Sequence, residues 1–218
     1  MKRKIWIVLL IAMVVALSGC KLQRGLAGSG NRKTEKRELK SFNAIDTSGA
    51  YDINVTCQKS ASFEIDADDN ILPLIKTEVR DGVLFVSNDQ EYHSAKSPTL
   101  RIALLDLTRL KSSGAGDIKI SDAKSNQLDL DSTGAASIGA TGSAKFVTIS
   151  STGAGNIDAG NLHAEKARVS VSGAASVDVY ATEQLDVDIS GVSQVSYGGH
   201  PKVVNKQVSG VGSVTPKD

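Results

Sequence analysis

The residues most able to do chemistry are eight aspartates in the second half of the chain: Asp117, Asp122, Asp129, Asp131, Asp158, Asp178, Asp186 and Asp188. Two carboxylates converging on one face of a scaffold can cleave a polysaccharide, one as general acid and the other as base or nucleophile. Most of these aspartates instead alternate with aliphatic residues, as the solvent-facing positions of a strand do. Asp129 and Asp186 stand apart, because the repeat described below would stack them on neighbouring coils in one outward column. The histidines His93, His163 and His200 lie in unlike contexts without metal-ligand spacing, so no metal site is expected. Gly139-Ala140-Thr141-Gly142 has the look of a dinucleotide-binding turn but opens no helix, which removes the N-terminal dipole that such a turn needs. Cys57 sits in the alternating run Tyr51-Asp52-Ile53-Asn54-Val55-Thr56-Cys57 and reads as a small buried hydrophobe rather than a nucleophile. No catalytic residue and no cofactor is expected.

One cysteine does point to a reaction. Lys2, Arg3 and Lys4 precede an apolar run from Ile5 to Leu17, which is shorter than the roughly 20 residues of a spanning helix and suits a secretory signal. The run ends in Leu17-Ser18-Gly19-Cys20, which resembles the bacterial lipobox. In such lipoproteins the thiol is acylated and the chain is cut before the cysteine, so residues 1–19 are expected to be a signal peptide and Cys20 the point of lipid (palmitate-type) attachment. Two or three acyl chains anchor stably where one is marginal. Lys21 is not the aspartate that retains lipoproteins at the inner membrane, which points to the outer membrane.

Charge is segregated. Residues 21–40 carry seven basic and two acidic groups, with Gly25, Gly28 and Gly30 among them, and are expected to be a flexible basic tether. Residues 41–218 carry 15 basic and 22 acidic groups. An acidic, aromatic-poor body argues against a nucleic-acid partner. The membrane, reached through the lipid, is the expected partner.

The elements that would carry these residues come from a repeat. Small-residue turns recur with leading glycines at Gly114, Gly134, Gly153, Gly173, Gly191 and Gly210, spaced 20, 19, 20, 18 and 19 apart. Four positions after each stands a β-branched residue: Ile118, Ile138, Ile157, Val177, Val195 and Val214. Before the next glycine come apolar pairs two apart: Leu128 and Leu130, Val147 and Ile149, Val169 and Val171, Val187 and Ile189. Period-two apolar spacing is strand chemistry. A whole-unit period near 19 residues predicts an all-β, right-handed parallel β-solenoid (a β-helix) over residues 41–215, in preference to an antiparallel sandwich. Three positions after each glycine runs a wholly polar column: Asp117, Ser137, Asn156, Ser176, Gln194 and Ser213. It could be a hydrogen-bonding ladder or a recognition face.

Residues 41–113 are less regular. Phe42, Ile45, Ile53, Val55, Phe63 and Ile65 predict three short strands. Asn70 is expected to cap a helical turn that tolerates Pro73. Asp81-Gly82 marks a tight turn, and Gln90 to Pro98 reads as a polar loop. The 65 residues from Gly49 to Gly114 leave room for about three longer coils, expected to join the stack and cap its N-terminal end.

Phe42-x-x-Ile45, the strand Ser48-Gly49-Ala50-Tyr51-Asp52-Ile53-Asn54-Val55, the segment from Asn70-Ile71-Leu72 to Gly82-x-Leu84 and the serial Ser-Gly-Ala-x-x-Ile units together resemble the bacterial "putative auto-transporter adhesin, head GIN domain" family, and Gly155-Asn156-Ile157 is close to the motif in that name. The resemblance covers roughly residues 41–215 and implies a lipoprotein-borne solenoid, with no catalytic residues to carry over. The expected function is a lipid-anchored envelope binding or structural module, an adhesin with a glycan or surface protein as its ligand. A polysaccharide lyase or hydrolase on the same scaffold, and a periplasm-facing scaffold or stress protein, are the alternatives.

Overall fold

The computed structural model describes residues 25–217; the expected signal peptide and Cys20 lie outside them. Its strands are β1 (Leu26–Ala27), β2 (Arg32–Lys36), β3 (Ala44–Thr47), β4 (Asp52–Thr56), β5 (Ser62–Asp68), β6 (Ile75–Arg80), β7 (Val83–Asn88), β8 (Tyr92–His93), β9 (Thr99–Ala103) and β10 (Arg109–Ser112). Four long strands follow, β11 (Ala115–Ser132), β12 (Ala135–Ser151), β13 (Asn156–Val171) and β14 (Ser176–Ile189). The chain then closes with β15 (Val192–Gly198), β16 (Val203–Val208) and β17 (Val211–Pro216). From β10 to β17 every pairing is parallel and joins one repeat to the next, so the chain is a β-solenoid of about five turns.

The β-branched column expected from the sequence forms the core. Leu100, Ile53, Ile118, Ile138, Ile157, Val177, Val195 and Val214 align across successive strands, and all but the terminal Val214 are buried. Burying each such side chain contributes about 1.5–3 kcal/mol, and stacking them every coil is what makes a unit that cannot fold alone cohere with its neighbours. The apolar pairs before each corner resolve into three inward columns rather than two. Leu128 aligns with Val147, Ala167 and Leu185; Leu130 with Ile149, Val169 and Val187; and Ser132 with Ser151, Val171 and Ile189. The third column continues upward through Ser112 and Thr47, so its upper half is polar yet buried. The pair therefore slides by one column along the stack, which spacing to the glycines concealed.

The corner glycines are fixed by packing. A Cβ on Gly134, Gly153, Gly173, Gly191 or Gly210 would stand 1.8–2.1 Å from the carbonyl oxygen of the glycine one coil before, and one on Gly114 would stand 1.6 Å from that of Gly49. Those same oxygens accept the next corner's N–H, as in Ala154 N–H to Gly134 O at 3.0 Å. Only glycine lets the coils close to hydrogen-bonding distance there.

The N-terminal end departs from the sequence expectation in three ways. First, the intervening residues do not form three successive coils. The coil of β3 and β4 lies between β10 and β11 on one side and β7 and β9 on the other. The chain climbs past its future neighbour, turns, and returns. Antiparallel β5 and β2 extend the β9 edge, and antiparallel β6 extends the β7 edge. Asp81 and Gly82, both at positive φ (51° and 75°), make the hairpin turn between β6 and β7. Second, the basic stretch expected to be a tether contains two short strands: β1 pairs with β8 inside the expected loop 90–98, and β2 pairs with β5. Arg32 clasps Asp66 and donates to Lys96 O at 3.0 Å, while Arg37 donates to Ile75 O at 2.7 Å and Leu72 O at 3.1 Å. The two arginines thus satisfy backbone carbonyls at the sheet end, while Lys33 and Lys36 meet Asp69 and Glu64 at the surface. Third, Asn70 caps no helix. The turn is a 3-10 segment, Leu72–Leu74, without a side-chain cap, and Asn70 binds Ala27 O and the Ser29 N–H, tying the N-terminal segment down.

Candidate functional site

The strands that carry the third-column serines also carry the aspartates on their outer side. Arg109, Asp129, Thr148, Arg168, Asp186 and Asn205 form one outward column, and Lys111, Asp131, Ser150, Ser170, Asp188 and Gln207 the next. Asp129 and Asp186 do share a column, but not on neighbouring coils. Three strand spacings separate them, about 14 Å at about 4.8 Å each. Glycosidic carboxylates work at roughly 5–9.5 Å. Three ion pairs run through these columns, Arg109 with Asp131 at 3.0 Å, Lys111 with Asp46 at 3.5 Å and Arg168 with Asp186 at 3.9 Å, while Asp129 accepts from Gln127 Nε2 at 3.1 Å. Hydrogen bonds from Gln184 and Asn205 lead in holding the Asp186 carboxyl below the usual range, with Arg168 adding its charge. These columns have the character of a cross-coil ion-pair lattice.

The polar column lies nearer the start of the same long strands, β11 to β14. Asp117, Ser137, Asn156, Ser176, Gln194 and Ser213 are in continuous register and all exposed. Upward it continues to Asp52, whose carboxylate accepts the Asp117 N–H at 3.4 Å. Among the described residues no side-chain hydrogen bond joins one member to the next. Register is kept by backbone bonds, such as Ser176 N–H to Gly155 O at 3.2 Å and Gln194 N–H to Ala175 O at 3.1 Å, and by the buried column one residue away. The side chains are left free to meet water or a ligand along the whole stack.

Cys57 is 1% exposed, and its thiol is pushed up to about 11, first by burial and then by Asp106 and Asp122. That is the setting of an inert thiol. Of the histidines, His93 lies in β8, distant in sequence from the other two, with its Nδ1 buried and unpartnered. The structure brings His163 and Tyr180 together across adjacent coils, ring centroids 4.4 Å apart, and places His200 beside the same tyrosine. Sequence reasoning missed this grouping, because a bulge between β13 and β14 shifts the register from Ala159–Val179 to His163–Tyr180. Among the described residues no group of three or more His, Cys, Asp or Glu side chains could hold a metal, and no helix is long and apolar enough to cross a membrane.

A family model described as "Putative auto-transporter adhesin, head GIN domain" matches residues 41–201. A crystal structure described as a "putative adhesin" from Bacteroides fragilis is similar with a TM-score of 0.75 and 27% identity, covering 88% of this chain and all of the other. A "putative lipid binding protein" from Parabacteroides distasonis matches with a TM-score of 0.58 and 19% identity over 89% of this chain and 100% of the other. A "putative adhesin" from Parabacteroides merdae matches at 0.57 and 21% over 89% and 99%. The last two identities speak to fold alone. No curated protein matches the chain.

Proposed function

Because the chain belongs to the family described as "Putative auto-transporter adhesin, head GIN domain", matched over most of its length, we propose that it is a lipid-anchored binding module of the bacterial cell envelope. In this reading Cys20 carries the lipid, the outer membrane holds it, and the solenoid presents the Asp117–Ser213 column to a glycan or a surface protein. The observation that carries the reading is that column: six aligned polar side chains, exposed and uncommitted to one another. A side-chain ladder built for stability would spend its hydrogen bonds internally. A non-enzymatic role is supported by the ion pairs that occupy two of the outer carboxylates, Asp131 with Arg109 and Asp186 with Arg168.

The test pairs the two halves of the proposal. Growth with a labelled fatty acid should label the wild-type chain and not Cys20→Ser. Binding to immobilised glycans and envelope proteins should be lost in a face variant carrying Asn156→Lys and Ser176→Lys, whose backbone bonds and core neighbours are unchanged. Wild-type binding that survives both lysines would remove the face from the account, and equal labelling of Cys20→Ser would remove the anchor.

A further inference from the structure

Beside the polar column, the strand β14 carries Ser176, Asp178 and Tyr180 outward in succession, and the last two open into a cleft of about 350 Å³. Gly160, Asp178, Val179, Tyr180, Gly198, Gly199, His200 and Lys217 line it, drawn from three successive coils and the chain's last residues. Its size falls at the lower end of the range for small-molecule sites, about 300–1,000 Å³.

The cleft exists because side chains are missing around one aromatic ring. A Cβ on Gly198 would stand 3.3 Å from the Tyr180 ring, and one on Gly199 would stand 2.8 Å from it and 2.3 Å from Ala181 O. His163 meets the same ring edge-on from the preceding coil, so the tyrosine is held in place. Gly199 (φ +88°) is followed by His200 at φ +50°, a left-handed turn that brings the imidazole to the cleft. Lys217 is placed by two contacts, its N–H on Tyr197 O at 2.8 Å and its Nζ on Asp178 Oδ1 at 2.8 Å. The charges of Asp178 and Lys217 cancel, which favours a neutral ligand. One aromatic wall, a carboxylate that accepts, and an ammonium and an imidazole that donate form a set suited to a ring bearing vicinal hydroxyls.

We propose that the cleft between Tyr180, Asp178, His200 and Lys217 is a subsite for one neutral pyranose ring of a glycan. It adjoins the polar column through Ser176, so a chain seated here would run on along that face. The subsite presupposes the recognition role proposed above and names its ligand class.

The test is saturation-transfer NMR on the purified full chain in detergent. The probes are methyl β-D-galactopyranoside, methyl β-D-glucopyranoside, methyl α-D-mannopyranoside and N-acetyl-D-glucosamine. At least one should bind with millimolar affinity, and Tyr180→Ala should weaken it by about tenfold or more. Gly160→Leu should do the same without touching the ring: a Cβ there meets only Asp158 Oδ1 at 3.5 Å and Asp178 Cβ at 3.8 Å, so the added side chain fills the cleft and spares the fold. Lys124→Ala, exposed on another coil, should bind as wild type. Binding by none of the four sugars overturns the subsite, as does binding that survives both variants. If the Asn156→Lys, Ser176→Lys variant loses surface adhesion while Tyr180→Ala and Gly160→Leu keep it, the face stands and the subsite falls.

Discussion

Replacing Gly153 by alanine adds one methyl group at a place where the fold has no room for it. The new Cβ would lie 1.8 Å from Gly134 O and 2.8 Å from Gly134 C, all backbone of the preceding coil. Relief to ordinary contact needs a shift of more than an ångström. Gly134 O also accepts the Ala154 N–H at 3.0 Å, and Gly153 O accepts the Ala174 N–H at 3.1 Å, so the shift strains inter-coil bonds on both sides. Overpacking costs about 1–3 kcal/mol and each buried backbone bond left unmade about 1–3 more. The lower backbone entropy of alanine in the unfolded chain offsets about 0.4–1 kcal/mol. The net expectation is a loss of about 3 kcal/mol, which lowers Tm by about 6–12 °C in a domain of this size. Thermal unfolding followed by far-UV circular dichroism reads it directly. Gly160→Ala is the matched control, since its Cβ meets ordinary van der Waals distances, and should stay within about 0.5 kcal/mol of wild type. Equal melting of the two variants would refute the claim that the corner column requires glycine for close approach.

Three further outcomes follow from the packing. Val177 is fully buried, so Val177→Asp places an unpaired charge in the core and should cost about 3–5 kcal/mol by urea unfolding, against an unchanged midpoint if the register is wrong. Burial works against ionisation of Asp66, but hydrogen bonds and charge from Arg32 outweigh it and hold its carboxyl below the ordinary range. A depressed folded-state value gives stability that is present above the unfolded value near 3.9 and lost as pH falls through the folded one, so Asp66→Asn should flatten the stability profile below about pH 4. Lys206 occupies an inward column after Val187, and its ammonium reaches Val214 O at 3.0 Å and lies 5.1 Å over the Tyr197 ring, closing the last coil where Val208 and Val211 are exposed. An inward charge blunts an open sheet edge, so Lys206→Leu should self-associate in sedimentation velocity at concentrations where wild type does not.

How much of this was legible in the sequence depended on whether packing left a periodic mark. The Ile118–Val214 column was readable because every coil demands a β-branched residue at one phase of the glycine repeat. The third inward column was not, because Ser132 and Ser151 fill it with hydroxyls that look like surface residues. The N-terminal strand β2, Arg32-Lys33-Thr34-Glu35-Lys36, has no apolar residue at all; its pairing comes from the backbone of β5 and from Arg32 on Asp66. Composition reads such a segment as solvated spacer. Asp129 and Asp186 were placed in the right column but on the wrong coils, since spacing gives the face and not the coil count between two residues. The Tyr180 cleft was hidden by the bulges between β13 and β14, which bring His163 and Tyr180 into one row against the repeat.

The measurement that bears most directly on the account is protease shaving of intact cells, with lysed cells as the control and the solenoid followed by an antibody. A surface-presented adhesive module predicts release or cleavage of the solenoid on intact cells. Protection until lysis would contradict it and place the polar face towards the periplasm.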